Sequence, residues 1–228
     1  MGLVTTNEHI QNVINTIDCG IKVTSVESLG AGKYKMYSGN TKWATFGKQL
    51  GGKGILEVSQ DNYIIIKASS APSVGIHTLP IPFFFFGTFL DTNKELEKKK
   101  SSNDKLPMIY LHLNAPEQYK DDFSLMDFES DCAIYFMVDA DPKNWLTGDH
   151  FSNAIKPMKY LVKQFIMALK NYPYTNASWE LTYTENDYVN FGNVQNTKGV
   201  VDKIFTDNIS GTELLINIGF NKSNYSCN

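Results

Sequence analysis

The sequence predicts an α+β fold: an antiparallel sheet flanked by an N-terminal helix and a long amphipathic helix, with an extra β-rich segment and a projecting loop. Three observations predict it. Apolar residues recur at helical spacing near the N-terminus and again between Phe151 and Leu169. Short β-branched and aromatic runs broken by glycine fill residues 21–69. Residues 108–113 and 132–138 are apolar enough to be inner strands, covered on at least one face. With 228 residues, 42% of them hydrophobic and 20% charged, the chain can bury a core unaided. Residues 1–228 therefore read as a single α+β domain, with the β-rich segment at 21–69 and a projecting arm or loop at 70–106.

The first helix starts at Thr5 or Thr6, where Glu8 completes a capping box. Ile10, Val13, Ile14 and Ile17 form its apolar stripe, and the pattern carries it to Cys19 before Gly20 stops it. Strands follow at 21–26, 33–37, 55–58 and 63–68, separated by turns at Gly30/Gly32, Gly39-Asn40 and Gly51-Gly52/Gly54. The stretch Gly51-Gly52-Lys53-Gly54 lacks the spacing and the following hydroxyl of a phosphate-binding loop, so it reads as a turn.

Residues 70–106 hold the most unusual feature. Four consecutive phenylalanines, Phe83, Phe84, Phe85 and Phe86, lie between a proline-containing approach and the lysine-rich run that ends at Lys100. An extended tetraphenylalanine points rings to both faces, so one half-exposed face cannot hide them. Either the fold covers both faces, or a neighbouring subunit covers one. The segment's resemblance to an arm favours the second, and the expected subunit interface is Phe83, Phe84, Phe85, Phe86, Phe89 and Leu90.

After the inner strands, Thr147 or Asp149 starts the longest helix. Its apolar face is Phe151, Ala154, Ile155, Met158, Leu161, Val162, Phe165, Ile166 and Leu169. Pro157 implies a kink or a fresh start there, and Pro173 requires an end before it. Strands at 179–184, 200–207 and 213–220 complete the sheet.

Composition narrows the function classes. The longest strongly apolar run, 79–90, contains two prolines and falls short of the ~18 residues that cross a bilayer. The first residues show no basic-then-apolar pattern of an export signal, so no membrane association and an intracellular location are expected. The three cysteines, Cys19, Cys132 and Cys227, include no CxxC pair and read as free thiols. Asn-x-Ser sites at Asn176, Asn208, Asn221 and Asn224 would matter only in a secreted protein. Net charge is −3, and every basic residue is lysine. Without arginine the chain lacks the usual instrument for reading guanine edges or clamping phosphate, which argues against sequence-specific DNA recognition.

No catalytic signature emerges, and the sequence reads as that of a non-enzymatic protein needing no cofactor. There is no GxSxG elbow, no cysteine beside a histidine, and no HExxH among His9, His77, His112 and His150. The alternative is a small metal-dependent enzyme using Asp139, Asp141 and His150, carboxylates at a strand end being able to hold a hard cation. Turn and capping roles compete for these residues: Asp141 precedes Pro142, and Asp149 suits a helix N-terminus. A nucleic-acid or peptide binding module is a further alternative. Only Lys156, Lys159, Lys163 and Lys170 hint at it, and they also suit the wet side of an amphipathic helix.

The stretch from Cys132 through Asp139-Ala140-Asp141-Pro142 to His150, running on from Ile155 to Phe165, resembles structural proteins of phages infecting Bacteroides-type bacteria. The likeness covers about residues 107–172 and lies in packing and turn residues. The order of elements is similar to that of bacteriophage head-tail connector and tail-terminator (tail completion) proteins. That resemblance implies a virion protein of the neck or tail, assembled in the host cytoplasm as a homo-oligomeric ring of about six or twelve copies. Its partners would be portal and other neck or tail proteins, with genomic DNA passing through the channel without sequence-specific contact. A net acidic lining lets DNA slide, because like charges repel.

Overall fold

A computed structural model describes residues 4–39, 41, 43–44, 49–50, 52–59, 62–79, 81–99, 105–119, 128–175, 181–195 and 201–220. Asn40, Gly51, Lys100, Asn176, Asn221, Asn224 and Cys227, named above, and the first residues of the 179–184 and 200–207 runs lie outside the described residues.

The fold is α+β. Helix α1 (Thr6–Asn15) opens it, and Glu8 accepts a hydrogen bond from the Thr5 backbone N–H at 2.8 Å, one half of the capping box. The helix ends earlier than its apolar stripe suggests. The Thr16 hydroxyl bonds the Val13 carbonyl at 2.7 Å, and Gly20 begins strand β1 (Gly20–Val23) instead of merely stopping the helix.

The β-rich segment forms a five-stranded antiparallel sheet from β2 (Ser25–Gly30), β3 (Lys33–Tyr37), β4 (Gln49–Leu50), β5 (Lys53–Ser59) and β6 (Tyr63–Lys67), in the order β2-β3-β6-β5-β4. The β2–β3 turn places Ala31 (φ 51°) and Gly32 (φ 71°) in the left-handed region that two-residue hairpins require. A Cβ at Gly32 would also stand 3.0 Å from the Ala68 carbonyl, so glycine fits this turn on both counts. Strand β7 (Gly75–Thr78) returns to pair with β1.

The arm expected at 70–106 is largely folded structure. Residues 83–87 form β8 (Phe83–Gly87), and α2 (Phe89–Lys98) follows, capped by the Thr88 hydroxyl. Strand β8 runs parallel to β9 (Met108–His112), so the main sheet is antiparallel except at this edge. Short β10 (Glu117–Tyr119) leads into β11 (Phe128–Asp139), whose 12 residues pair along their full length with the terminal strand.

The long helix begins with one turn, α3 (Thr147–His150), where Asp149 accepts from the Leu146 N–H at 2.9 Å. A π-helical stretch follows at Phe151–Ile155, then α4 (Lys156–Asn171) with Pro157 in its first turn. The π turn inserts a residue into the helical count. Phe151 is consequently 46% exposed instead of joining the core face, whereas Ala154, Ile155, Met158, Leu161, Val162, Phe165, Ile166 and Leu169 are buried as the periodicity predicts.

The last strands are β12 (Tyr183–Phe191), β13 (Asn193–Gln195), β14 (Val201–Lys203) and β15 (Ile209–Phe220). Within the described residues β12 lies later than the 179–184 run, and the 200–207 run yields only the short β14, which pairs with β13. The main sheet has the order β12-β15-β11-β9-β8, with β10 also paired to β11.

This sheet divides two cores by strand alternation. Phe128, Cys132, Ile134, Phe136 and Val138 of β11, Ile109 and Leu111 of β9, and Leu214, Ile216, Ile218 and Phe220 of β15 face one side. There they join α1, α4 and the buried residues of the β-rich segment, among them Met36, Ile55, Ile64 and Ile66. Tyr135, Met137, Met108, Tyr110 and Ile209 face the other side, packed with Leu96 of α2 and Phe205.

Candidate functional site

The aromatic edge of the main sheet is the most distinctive surface. Alternation splits the tetraphenylalanine: Phe84 and Phe86 pack against the first core, Phe83 and Phe85 against the second. All four remain half-buried. The chain itself thus supplies cover on both faces, and leaves part of every ring exposed at the rim.

The two remaining expected interface residues diverge. Phe89 is half-buried, stacks on His112 with centroids 4.7 Å apart, and meets the edges of Tyr135 and Phe205. Leu90, the next residue on α2, is 62% exposed. Helical geometry separates them by about 100°, which places one ring inward and the neighbouring side chain outward.

Behind β8 lies a hydrogen-bonded brace that sequence reading missed. The buried Tyr110 hydroxyl donates to the Gly87 carbonyl at 2.9 Å and lies 2.8 Å from His112 Nδ1. Because the hydroxyl carries one proton, His112 donates from Nδ1. Burial pushes the Tyr110 phenol up to about 12. Beside it, Glu213 is a buried carboxylate that accepts from Asn186 Nδ2 at 2.9 Å and from the Tyr188 hydroxyl at 3.0 Å. Desolvation, aided by hydrogen bonding to Glu213, raises the Tyr135 phenol well above its ordinary value. The signal for this second core was the odd-numbered positions of β11, which alternation would have assigned to the opposite face.

A cavity of about 290 Å³ opens next to these rings, lined by Phe89, Tyr188, Phe191, Ile204 and Phe205 among others. Its walls are chiefly aromatic and aliphatic, suiting it to apolar contact.

The polar candidates are placed differently. Asp141 accepts from the backbone N–H groups of Lys143 (3.1 Å) and Asn144 (3.3 Å), and from Asn144 Nδ2 (2.6 Å). The bond from Asn144, with the two backbone donors, holds its carboxyl below the ordinary aspartate range. His150 is buried, 3.1 Å from the Ser210 hydroxyl and edge-on to Trp145. Asp139 sits at the end of β11, opposite Ile209. Among the described residues no three His, Cys, Asp or Glu side chains converge as metal ligands.

The His150–Ser210 contact brings together two residue types used in nucleophilic catalysis, a pairing no sequence motif announced. Both side chains are buried, and the Ser210 oxygen also accepts from the Asn190 N–H at 3.0 Å. As placed, the pair braces helix α3 against β15 and gives a substrate no approach.

The lysines of α4 do not form a free basic stripe. Lys159 bridges Asp187 at 3.0 Å and Glu185 at 3.4 Å, and Lys163 lies over the Tyr160 ring. No helix among the described residues is long and apolar enough to cross a membrane. In comparisons with protein-family models, curated proteins and solved structures, nothing matches this chain.

Proposed function

We propose that this chain is a structural subunit of a bacteriophage neck or tail, assembling as a ring that joins the head to the tail around the DNA channel. The observation that carries the proposal is the aromatic edge. The main sheet ends in a strand of four phenylalanines, each half-buried and none charged, with the 62%-exposed Leu90 alongside. Edge strands of independent monomers are ordinarily blunted by charge, proline or a bulge. Pro82 precedes this strand and the Lys99 ammonium lies 4.5 Å from the Phe83 ring centroid, but residues 84–86 carry no such guard, which suits a protein whose neighbours cover them.

Two further features support the reading. The resemblance over residues 107–172 points to the same class, and the acidic net charge of −3 suits a channel through which DNA slides. The metal-dependent alternative gains nothing from geometry in which the Asp141 oxygens serve a turn and His150 is buried against Ser210. A nucleic-acid module is disfavoured because Lys159 is already paired within the chain.

Native mass spectrometry of the full chain, followed by electron microscopy of any multimer, tests the proposal. The expected result is a closed assembly of more than two copies, formed alone or on a portal ring. A chain that stays monomeric at all soluble concentrations, in the presence of portal as well as alone, would refute it.

A further inference from the structure

Resting on that ring reading, we infer that neighbouring copies join by sheet extension, the outer edge of β8 in one copy pairing with the outer edge of β12 in the next.

Backbone directions decide which polar groups of β8 are free. The Phe83 N–H donates to the Pro107 carbonyl and the Gly87 carbonyl accepts from the Leu113 N–H, each at 2.9 Å, so residues 83, 85 and 87 turn their peptide groups toward β9. In a parallel ladder alternate residues face opposite ways. The N–H and C=O groups of Phe84 and Phe86 therefore point outward, away from β9. Among the described residues no strand pairs with this side.

The opposite end of the same sheet is β12, nine residues long and likewise terminal in the strand order. Strand senses then decide compatibility. β8 runs parallel to β9; β9 is antiparallel to β11, β11 to β15, and β15 to β12. Hence β8 and β12 run in opposite directions. When one copy is placed beside another with its sheet continuing in the same sense, β8 meets β12 antiparallel, the more stable pairing.

Face matching agrees. Tyr188 and Phe191 of β12 pack on the same side of the sheet as Phe83 and Phe85, so continuation places aromatic beside aromatic on that face. On the opposite face β12 presents Tyr183, 39% exposed, together with Glu185 and Asp187, whose carboxylates Lys159 pairs within the chain. The two edges differ, so the contact is heterologous: each copy uses one edge to the left and another to the right. Such contacts repeat, and close into rings when the rotation permits. A contact of β8 with a second β8 would stop at a dimer.

Concentration-dependent amide hydrogen exchange on the full chain, alongside native mass measurement, tests this. In the assembly, the Phe84 and Phe86 amides and outward amides of β12 should exchange about tenfold or more slowly than in the diluted monomer. Phe84→Pro removes an outward donor without removing one that serves β9, and is expected to abolish assembly. Phe84→Leu keeps that donor and should still assemble, which separates edge pairing from loss of the ring itself. Protection confined to β8 in a dimer overturns the inference, as does a multimer with neither edge protected, although that multimer would leave the ring reading standing. A chain that is always monomeric overturns both.

Discussion

Gly211→Ala tests the account of how the central strands approach one another. Gly211 lies opposite Met137 in the β11–β15 ladder, and a Cβ there would stand 2.0 Å from the Phe136 carbonyl oxygen and 3.0 Å from the Met137 Cα. The obstacle is backbone, which no rotamer change relieves, so the strands must separate locally by roughly 1 Å or more. Two ladder hydrogen bonds at about 1 kcal/mol each, with an overpacking cost of ~1–3 kcal/mol, give a destabilisation of about 3–5 kcal/mol. Urea unfolding followed by tryptophan fluorescence measures it against Gly148→Ala, where an added Cβ meets nothing within 4 Å and a change below ~1 kcal/mol is expected. A Gly211→Ala variant within ~1 kcal/mol of the parent would show that the close approach is not a constraint on the sheet.

Three other outcomes follow from buried groups. His9 is buried, stacked on Phe220 at 4.6 Å, and desolvation holds its imidazole below the ordinary value of 6.5. The unfolded chain takes up that proton first, so stability should fall as pH drops below about 6.5, and His9→Phe should flatten this limb in pH-dependent melts. Burial pushes the Cys132 thiol from 9.0 up to about 12, so the folded chain retains a proton that the unfolded chain loses. Stability should therefore decline as pH rises from about 9 toward 12, by up to ~1.4 kcal/mol per pH unit for this group, and less steeply in Cys132→Ala. Glu213→Ala leaves the Tyr188 hydroxyl and the Asn186 amide without their acceptor; thermal denaturation should show a loss of about 2–4 kcal/mol, and a loss below ~1 kcal/mol would mean that water replaces the carboxylate.

The stability variants probe the division of the sheet into two cores. Mass measurement and hydrogen exchange probe what covers the aromatic edge.

Much of the architecture was legible in the residues because local chemistry dictates it. Thr5 and Glu8 announce the start of α1, Pro157 and Pro173 bound α4, and the apolar runs around 108–113, 132–138 and 213–220 mark strands that the sheet contains. Each signal acts over a few residues, within reach of a cap, a ring constraint or side-chain alternation. The tetraphenylalanine was legible as extended and two-faced for the same reason. Its partner was not: parallel pairing with β9 depends on α2 carrying the chain back across the sheet, and no local pattern specifies that return. The π turn before Pro157, the burial of His150 against Ser210, and the capture of the Asp141 oxygens by a turn are likewise products of packing. Sequence by itself determined helices α1 and α4 and the most apolar strands, since propensity and periodicity are local, but not α2, which falls in the segment that reads as an arm. Only the tertiary structure decided that β8 and β12 terminate one sheet in opposite senses, because strand order arises from contacts between residues far apart in the chain.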